Sequence, residues 1–372
     1  MSTAIVVGGG IGGLATALAL TRQGWSVELL ERAPEITAVG SGISLWSNAL
    51  RALDELGVGA AVRGHGIEDV SAGIRDSKGR WLSRTDVATM RERFGAPVLI
   101  HRADLLAILR AAVPEGVART GVSVAAADPD GTVRHSAGVS TADLVVGADG
   151  IRSVVRRAVC GEVAPRYAGY TAWRAVVHPD APLTEFGETW GRGARFGLAP
   201  LADGRVYCFA VYNAAEHAPG SLAEVRARFA GWHAPVPALL AAADANTVLH
   251  NDIYELPPLP TYTAGRIALL GDAAHAMTPN LGQGGCQALE DAVVLARLAG
   301  RPDGLARYDR ERRPRTQMIV TRSARIGTIA QLSSPPLVTL RDNALRLAPA
   351  SMALRSMARI LDWRPDRSGT GS

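Results

Sequence analysis

The chain of 372 residues is 47% hydrophobic and 20% charged, the make-up of a soluble globular protein with room for one large domain or two interleaved ones. Forty basic against 35 acidic residues leave a formal charge of +5; the basic residues are scattered and nearly all arginine, which excludes a nucleic-acid-binding stripe or module. Three distant cysteines (Cys160, Cys208, Cys286) and eight histidines without paired spacing exclude a disulfide framework and a metal site, and point to a reducing, cytoplasmic setting.

Residues 3–20 carry no charge and are long enough to imitate a membrane helix. Glycines crowd that stretch and no basic residue precedes it, so neither a span nor a signal peptide is expected. Ala4-Ile5-Val6-Val7 reads as a buried strand, followed by Gly8-Gly9-Gly10-Ile11-Gly12-Gly13, a helix to about Gln23 and a stop at Gly24. A second strand, Val27-Glu28-Leu29-Leu30, ends in Glu31-Arg32. This is G-x-G-x-x-G in its strand–turn–helix context with an acid about 20 residues on, the arrangement that holds a dinucleotide. Its glycines allow a tight turn and approach of a pyrophosphate, and Glu31 accepts from ribose hydroxyls. An acid there disfavours a 2′-phosphate, so FAD or NAD fits better than NADP. Arg32 either stacks on adenine or is a solvated surface arginine.

Val39 to Trp46 forms a glycine-rich turn leading to a helix through Leu56. Residues 71–97 alternate and turn, as strands leaving the nucleotide fold would, and Ile100-His101-Arg102 opens a helix with His101 structural. Residues 117–139 read as hairpin-like strands turning at Asp130-Gly131, and Asp149-Gly150 with Ser153 and Arg156 follows another buried strand. Strand patterns then dominate to Tyr254, with helical signal only at about 222–232 and 236–243, so a β-rich unit is inserted into an α/β core.

The core resumes with Ile267-Ala268-Leu269-Leu270 and then Gly271-Asp272-Ala273-Ala274-His275-Ala276-Met277-Thr278-Pro279-Asn280-Leu281-Gly282-Gln283-Gly284-Gly285-Cys286. Glycines 282, 284 and 285 would bring backbone against a ligand, and the helix from Gln287 to Leu298 would aim free N–H groups and its positive dipole end there. Delocalised negative charge, as on a reduced flavin, suits such a site, and a phosphate suits the same physics. Residues 337–363 carry a helical pattern with arginines beside leucine and methionine. It either caps the domain, the preferred reading, or lies on a membrane surface.

The three motifs in this order resemble the class A, p-hydroxybenzoate hydroxylase-like flavoprotein monooxygenases, over about residues 3–330. Tyr167-Ala168-Gly169-Tyr170-Thr171-Ala172-Trp173, Phe229-Ala230-Gly231-Trp232 and Leu361-Asp362-Trp363-Arg364-Pro365 look most like the salicylate hydroxylase and urate hydroxylase branch. The resemblance implies an α/β fold: a Rossmann-like FAD-binding domain of the GR2 type at 1–72, 98–165 and 263–330, and an inserted β-sheet substrate domain at 73–97 and 166–262. A C-terminal helical segment at 331–366 and a disordered tail at 367–372 complete it. It implies that Gly8, Gly10, Gly12, Gly13, Glu31 and Arg32 hold the ADP half of FAD. Asp272 would bind the ribitol, Ser44, Arg102, Val122 and Asp149 would also contact the cofactor, and Gly282, Gly284 and Gly285 would border the flavin.

NADH or NADPH would bind transiently, since only one dinucleotide fingerprint is present. O2 would add to the reduced flavin, and the resulting C4a-hydroperoxyflavin would hydroxylate a small electron-rich aromatic or heteroaromatic ring. Arg195 and Tyr207 match substrate-orienting residues of the urate-hydroxylating relatives, and Pro279 would border the oxygen site. Where those relatives carry an acid, this chain has Asn280; an amide orients a ring or water but cannot act as a general base, which disfavours urate. Rivals are a natural-product tailoring or antibiotic-inactivating oxygenase of the same family and a redox-silent FAD scaffold or sensor. A flavin halogenase is excluded, since Lys78, the sole lysine, lies in a turn and no W-x-W-x-I-P stretch exists. The expected state is monomer or homodimer.

Overall fold

The computed structural model describes residues 1–37, 41–67 and 71–365. Part of the expected glycine-rich turn, at 39–40, and the expected disordered tail at 367–372 lie outside them. The apolar runs predicted as buried strands assemble side by side. Thr3–Val7 is flanked by Leu144–Gly147 and Ser26–Glu31, all parallel, and Ile267–Leu269 and Ala118–Thr120 extend the sheet on either side. Runs with no polar alternation suit a sheet covered on both faces. The helices Ile11–Arg22 and Gly284–Ala299 pack over it, and Val6, Leu14, Leu29, Val145, Leu269 and Leu289 are fully enclosed.

The second sheet has seven strands, ordered Leu249–Glu255, Arg166–Val177, Val206–Asn213, Ala194–Pro200, Glu185–Trp190, Ser71–Asp76 and Trp81–Arg84. Its alternation is two-sided. Trp173, Phe196, Cys208 and Ala210 point to one face, where the helices Leu222–Phe229 and Val236–Ala241 cover them. The opposite face carries Arg195, Gly197, Phe209 and Tyr207. Two of its strands precede Leu144–Gly147 in the chain, so the backbone leaves the first sheet twice.

Three expectations need correction, and one long helix is new. The segment 71–97 is not only strands: Val87–Phe94 is a helix, started by Asp86, whose side chain accepts from the Thr89 N–H. Of the hairpin-like strands at 117–139, Ala118–Thr120 instead joins the first sheet as a parallel edge, while Val124–Ala127, Thr132–His135 and Gly138–Thr141 form a separate antiparallel sheet. The long helix Gly304–Ala330, with Pro314 inside it, adds to the expected elements. The single C-terminal helix is two, Pro335–Leu347 and Ala350–Leu361. Proline at 349 pushes Ala348 out of the helical region, to ψ 127°.

Candidate active site

The first cradle is the turn after Thr3–Val7. Gly8 has φ +106°, a region that favours glycine, and a Cβ on Gly13 would lie 1.8 Å from the Gly8 carbonyl oxygen. Gly12 is needed for packing, since its Cβ would meet Leu270 at 2.6 Å. At Gly10 a Cβ would meet nothing within 4 Å: that is the open side. The helix Ile11–Arg22 starts there with no side-chain cap and no acid in its first turn, leaving its N–H groups and positive end for a pyrophosphate. Glu31 is fixed by accepting from the N–H groups of Gly9 (2.6 Å) and Ala33 (2.8 Å), and Arg32 is exposed. Val122 packs its side chain against the main core and donates its N–H to the Glu31 carbonyl. Asp149 accepts from the Val154 and Val155 N–H groups through one oxygen; the other is buried without a partner.

The second cradle is the loop from Gly271 to Gly285. Asp272 is exposed at its start, and a Cβ on Gly284 would lie 3.9 Å from its carboxylate. The helix Gly284–Ala299 begins without a side-chain cap or first-turn acid. The three glycines differ in their surroundings. Gly282 has φ +60°, Gly285 packs where a Cβ would be 2.8 Å from Ile43, and Gly284 faces the open side. Ser44 lies in the strand Gly42–Leu45, whose neighbour His101 precedes Arg102; Arg102 is exposed and its N–H bonds the Ser41 carbonyl. The Trp46 indole nitrogen, 3.2 Å from where a Gly282 Cβ would be, is buried without an acceptor. Two uncapped helix starts, an open glycine at each, and orphaned polar atoms on Asp149 and Trp46 fit a dinucleotide with a flat polar ring.

Behind this loop lies a charge network missed at sequence level, although Glu290 and Asp291 in an otherwise apolar helix were its signal. Arg312, wholly buried, bonds Asp291 at 2.6 Å and Glu290 at 2.5 Å. Arg315 and Asn48 also bond Glu290, and His275 and the Gly271 N–H bond Asp291. Burial alone would raise the Asp291 pKa, but the charges of His275 and Arg312 outweigh it and hold it at about 2. The acids thus stay ionised and tie both ends of the loop to the long helix.

The third part faces this loop from the second sheet. Cross-strand pairs Arg195–Val211, Gly197–Phe209 and Ala199–Tyr207 project to the same side. Arg195 is 2% exposed and gives its Nη2 to Asn280 Oδ1 at 2.7 Å, Nε to Gln331 at 3.1 Å and Nη1 to Glu188 at 3.4 Å. The Asn280 amide nitrogen donates to Thr278 Oγ1, the Ser323 carbonyl and the Tyr170 hydroxyl, so its oxygen must face Arg195. Burial pushes the Tyr170 hydroxyl up, so it accepts from the amide as a neutral hydroxyl. Gly327 allows the contact, for a Cβ there would be 2.4 Å from Asn280 Nδ2. Tyr170, Glu188, Ser323, Gly327 and Gln331 were not singled out; they meet only through folding.

Tyr207 does not join this cluster. It lies four residues along the strands from the position paired with Arg195, about 13 Å away, against Gly42 with Leu99, Phe186 and Ala199. Between the two, Gly197 and Phe209 form an apolar floor. Pro279 is exposed at the start of the short turn Pro279–Leu281. The arginine–amide cluster and the tyrosine thus stand at two ends of one sheet face, with Gly197 and Phe209 between them.

The FAD binding domain family matches residues 1–323, and the chain belongs to it; within it, the motifs and site are those of a class A FAD-dependent monooxygenase. Among similar proteins, an aurachin C monooxygenase/isomerase of Stigmatella aurantiaca is 40% identical, with 98% of each chain covered. A 2-heptyl-3-hydroxy-4(1H)-quinolone synthase of Pseudomonas aeruginosa is 36% identical, over 96% of this chain and 97% of that one. HpxO of Klebsiella pneumoniae, solved with FAD and uric acid, superposes with a TM-score of 0.90 at 32% identity, over 97% of this chain and 96% of that one. FAD is therefore the chain's cofactor. Among the described residues, no helix is long and apolar enough to cross a membrane.

Proposed function

We propose that the chain is an NADH- or NADPH-dependent hydroxylase of a small heteroaromatic ring carrying an exocyclic oxygen, a 4-quinolone being the ring type to test first, with O2 as co-substrate. The supporting observation is the Arg195–Asn280 pair. A guanidinium has five N–H groups; three are engaged by Asn280, Gln331 and Glu188, which leaves two for an oxygen acceptor on the ring. An amide at 280 supplies no base, so the ring must be electron-rich without help from a carboxylate there. The similarity to enzymes named for aurachin C and a heptyl-hydroxyquinolone supports the same choice.

In this reading Gly8, Gly10, Gly12, Gly13 and Glu31 hold the ADP half of FAD, Asp272 the ribitol, and Asp149 and Trp46 the flanks of the cofactor. Arg195 and Asn280 orient the ring over Gly197 and Phe209, and Tyr207 closes the far end. FAD, when bound, supplies the redox chemistry that activates O2; the protein binds, orients and keeps water out. Residues 1–72, 98–165 and 263–330 serve the cofactor, and 73–97 and 166–262 the ring.

The test is oxidation of NADH and NADPH by the purified yellow protein with phenols, purines and 4-quinolones, using isotopically labelled O2. Ring-stimulated oxidation with one labelled oxygen in the product is expected. A flavin that neither nucleotide reduces would overturn the reading in favour of a redox-silent FAD protein.

A further inference from the structure

Five large apolar side chains stand out in one stretch of the chain: Ile329, Leu337, Leu340, Leu347 and Met352 are between 47% and 83% exposed. They fall at the end of the long helix and on the two C-terminal helices. Along Pro335–Leu347, Leu337, Leu340, Ala344 and Leu347 recur at i, i+3, i+7 and i+10, which places them in one stripe. Met352, Arg355 and Arg359 share one face of Ala350–Leu361 in the same way. The inner sides are anchored instead. Arg341 is buried and donates to the Ala330 and Gly191 carbonyls, and Ile360 and Leu361 lie in an apolar cluster with Met90, Phe94 and Ile319. Both helices therefore cap the fold with one face and show leucine, methionine and arginine with the other.

Charge is concentrated in the same segment. Residues 321–365 hold seven arginines and two aspartates. That excess of five equals the formal charge of the whole chain, +5, so the remainder is balanced. Arg325, Arg355 and Arg359 are exposed.

We propose that this face docks on an anionic lipid surface. Apolar side chains flanked by arginines match a headgroup layer with its acyl boundary beneath. A second copy of the chain would set the same positive side chains against one another, which disfavours self-association. The apolar cluster under the helices continues to Trp46 and Leu281 beside the flavin cradle.

The experiment is co-sedimentation of the full-length FAD-loaded protein with vesicles of phosphatidylcholine and phosphatidylglycerol mixed about 2:1, against phosphatidylcholine alone, at low and high salt. Binding should be about tenfold stronger to the anionic vesicles and should fall about tenfold in high salt. Leu340→Ser with Leu347→Ser, and separately Arg355→Glu with Arg359→Glu, should each weaken it about tenfold while leaving flavin absorbance and melting temperature unchanged. Equal, weak partition of the wild type to both vesicles overturns the proposal. A salt-insensitive dimer in light scattering that the leucine substitutions dissociate overturns it too, by assigning the face to a second copy. The wild-type comparison is decisive even where a variant misfolds, and it does not depend on which ring is hydroxylated.

Discussion

Arg195 and Asn280, 85 residues apart in the chain, meet at 2.7 Å where the second sheet faces the glycine loop. The bond runs from guanidinium to a neutral amide oxygen in a nearly dry place, and among the described residues Glu188 at 3.4 Å is the one acid that pairs with the arginine. In the proposed reading, an arginine so placed holds binding power in reserve for a ring oxygen.

Exchanging the amide for an acid should remove that reserve. Asn280→Asp would give Arg195 a full ion partner, so KM for the ring should rise about tenfold, equivalent to roughly 1.4 kcal/mol, while FAD content is unchanged. Steady-state kinetics beside the flavin absorbance check this; unaltered KM would remove the pair from ring binding.

The close approach at Gly327 gives a steric prediction. Gly327→Ala sets a methyl 2.4 Å from Asn280 Nδ2 and 3.1 Å from the Tyr170 hydroxyl, so the amide must shift. Overpacking of this kind costs about 1–3 kcal/mol, and ring-stimulated turnover should fall further than stability does. Denaturant unfolding and turnover measured on one preparation separate the two.

Cofactor retention should depend on Asp272 and, more mildly, on Trp46. Asp272→Ala should yield colourless protein. Trp46→Phe removes a buried donor that has no partner within the protein, so the apoprotein should be at least as stable while FAD binds about tenfold more weakly. Titration of apoprotein with FAD reads both; unchanged affinity in Trp46→Phe would leave the indole with no cofactor role.

The buried network predicts acid sensitivity. Asp291 titrates at about 2 instead of the ordinary 3.8: burial opposes the shift, and the charges of His275 and Arg312 drive it. A carboxyl depressed by folding adds stability that is present above its unfolded pKa and is lost as pH falls through the folded one. Stability should therefore drop by about 2 kcal/mol between roughly pH 4 and pH 2 from this group, and Asp291→Asn should flatten that limb. Arg312→Leu should be harsher at neutral pH, by about 3–5 kcal/mol, because it takes from two buried carboxylates the cation they share, leaving Glu290 with Arg315 and Asp291 with His275.

Much of the cofactor half was legible in the chain. A strand, a glycine turn and a helix are local neighbours, so Gly8 to Gly13 with Glu31, and Gly271 to Gly285, could be read from spacing. Their outcome differs in detail where packing is involved: Gly285 answers to Ile43 and Gly12 to Leu270, partners that no local pattern names. The alternation of the second sheet was readable too, but not which face would meet the loop.

By itself, then, the sequence determined the class of fold, the two cradles and the absence of an acid at position 280, because each rests on residues that are adjacent or a fixed short spacing apart. Only the tertiary structure decided that Arg195 belongs with Asn280 while Tyr207 stands apart, and that Arg312 neutralises Glu290 and Asp291 from another helix. It also decided that the C-terminal pattern is two helices with an exposed apolar stripe. These depend on strand register and helix packing, where one residue's shift would turn every side chain to the other face. That register is set by burial across the whole chain.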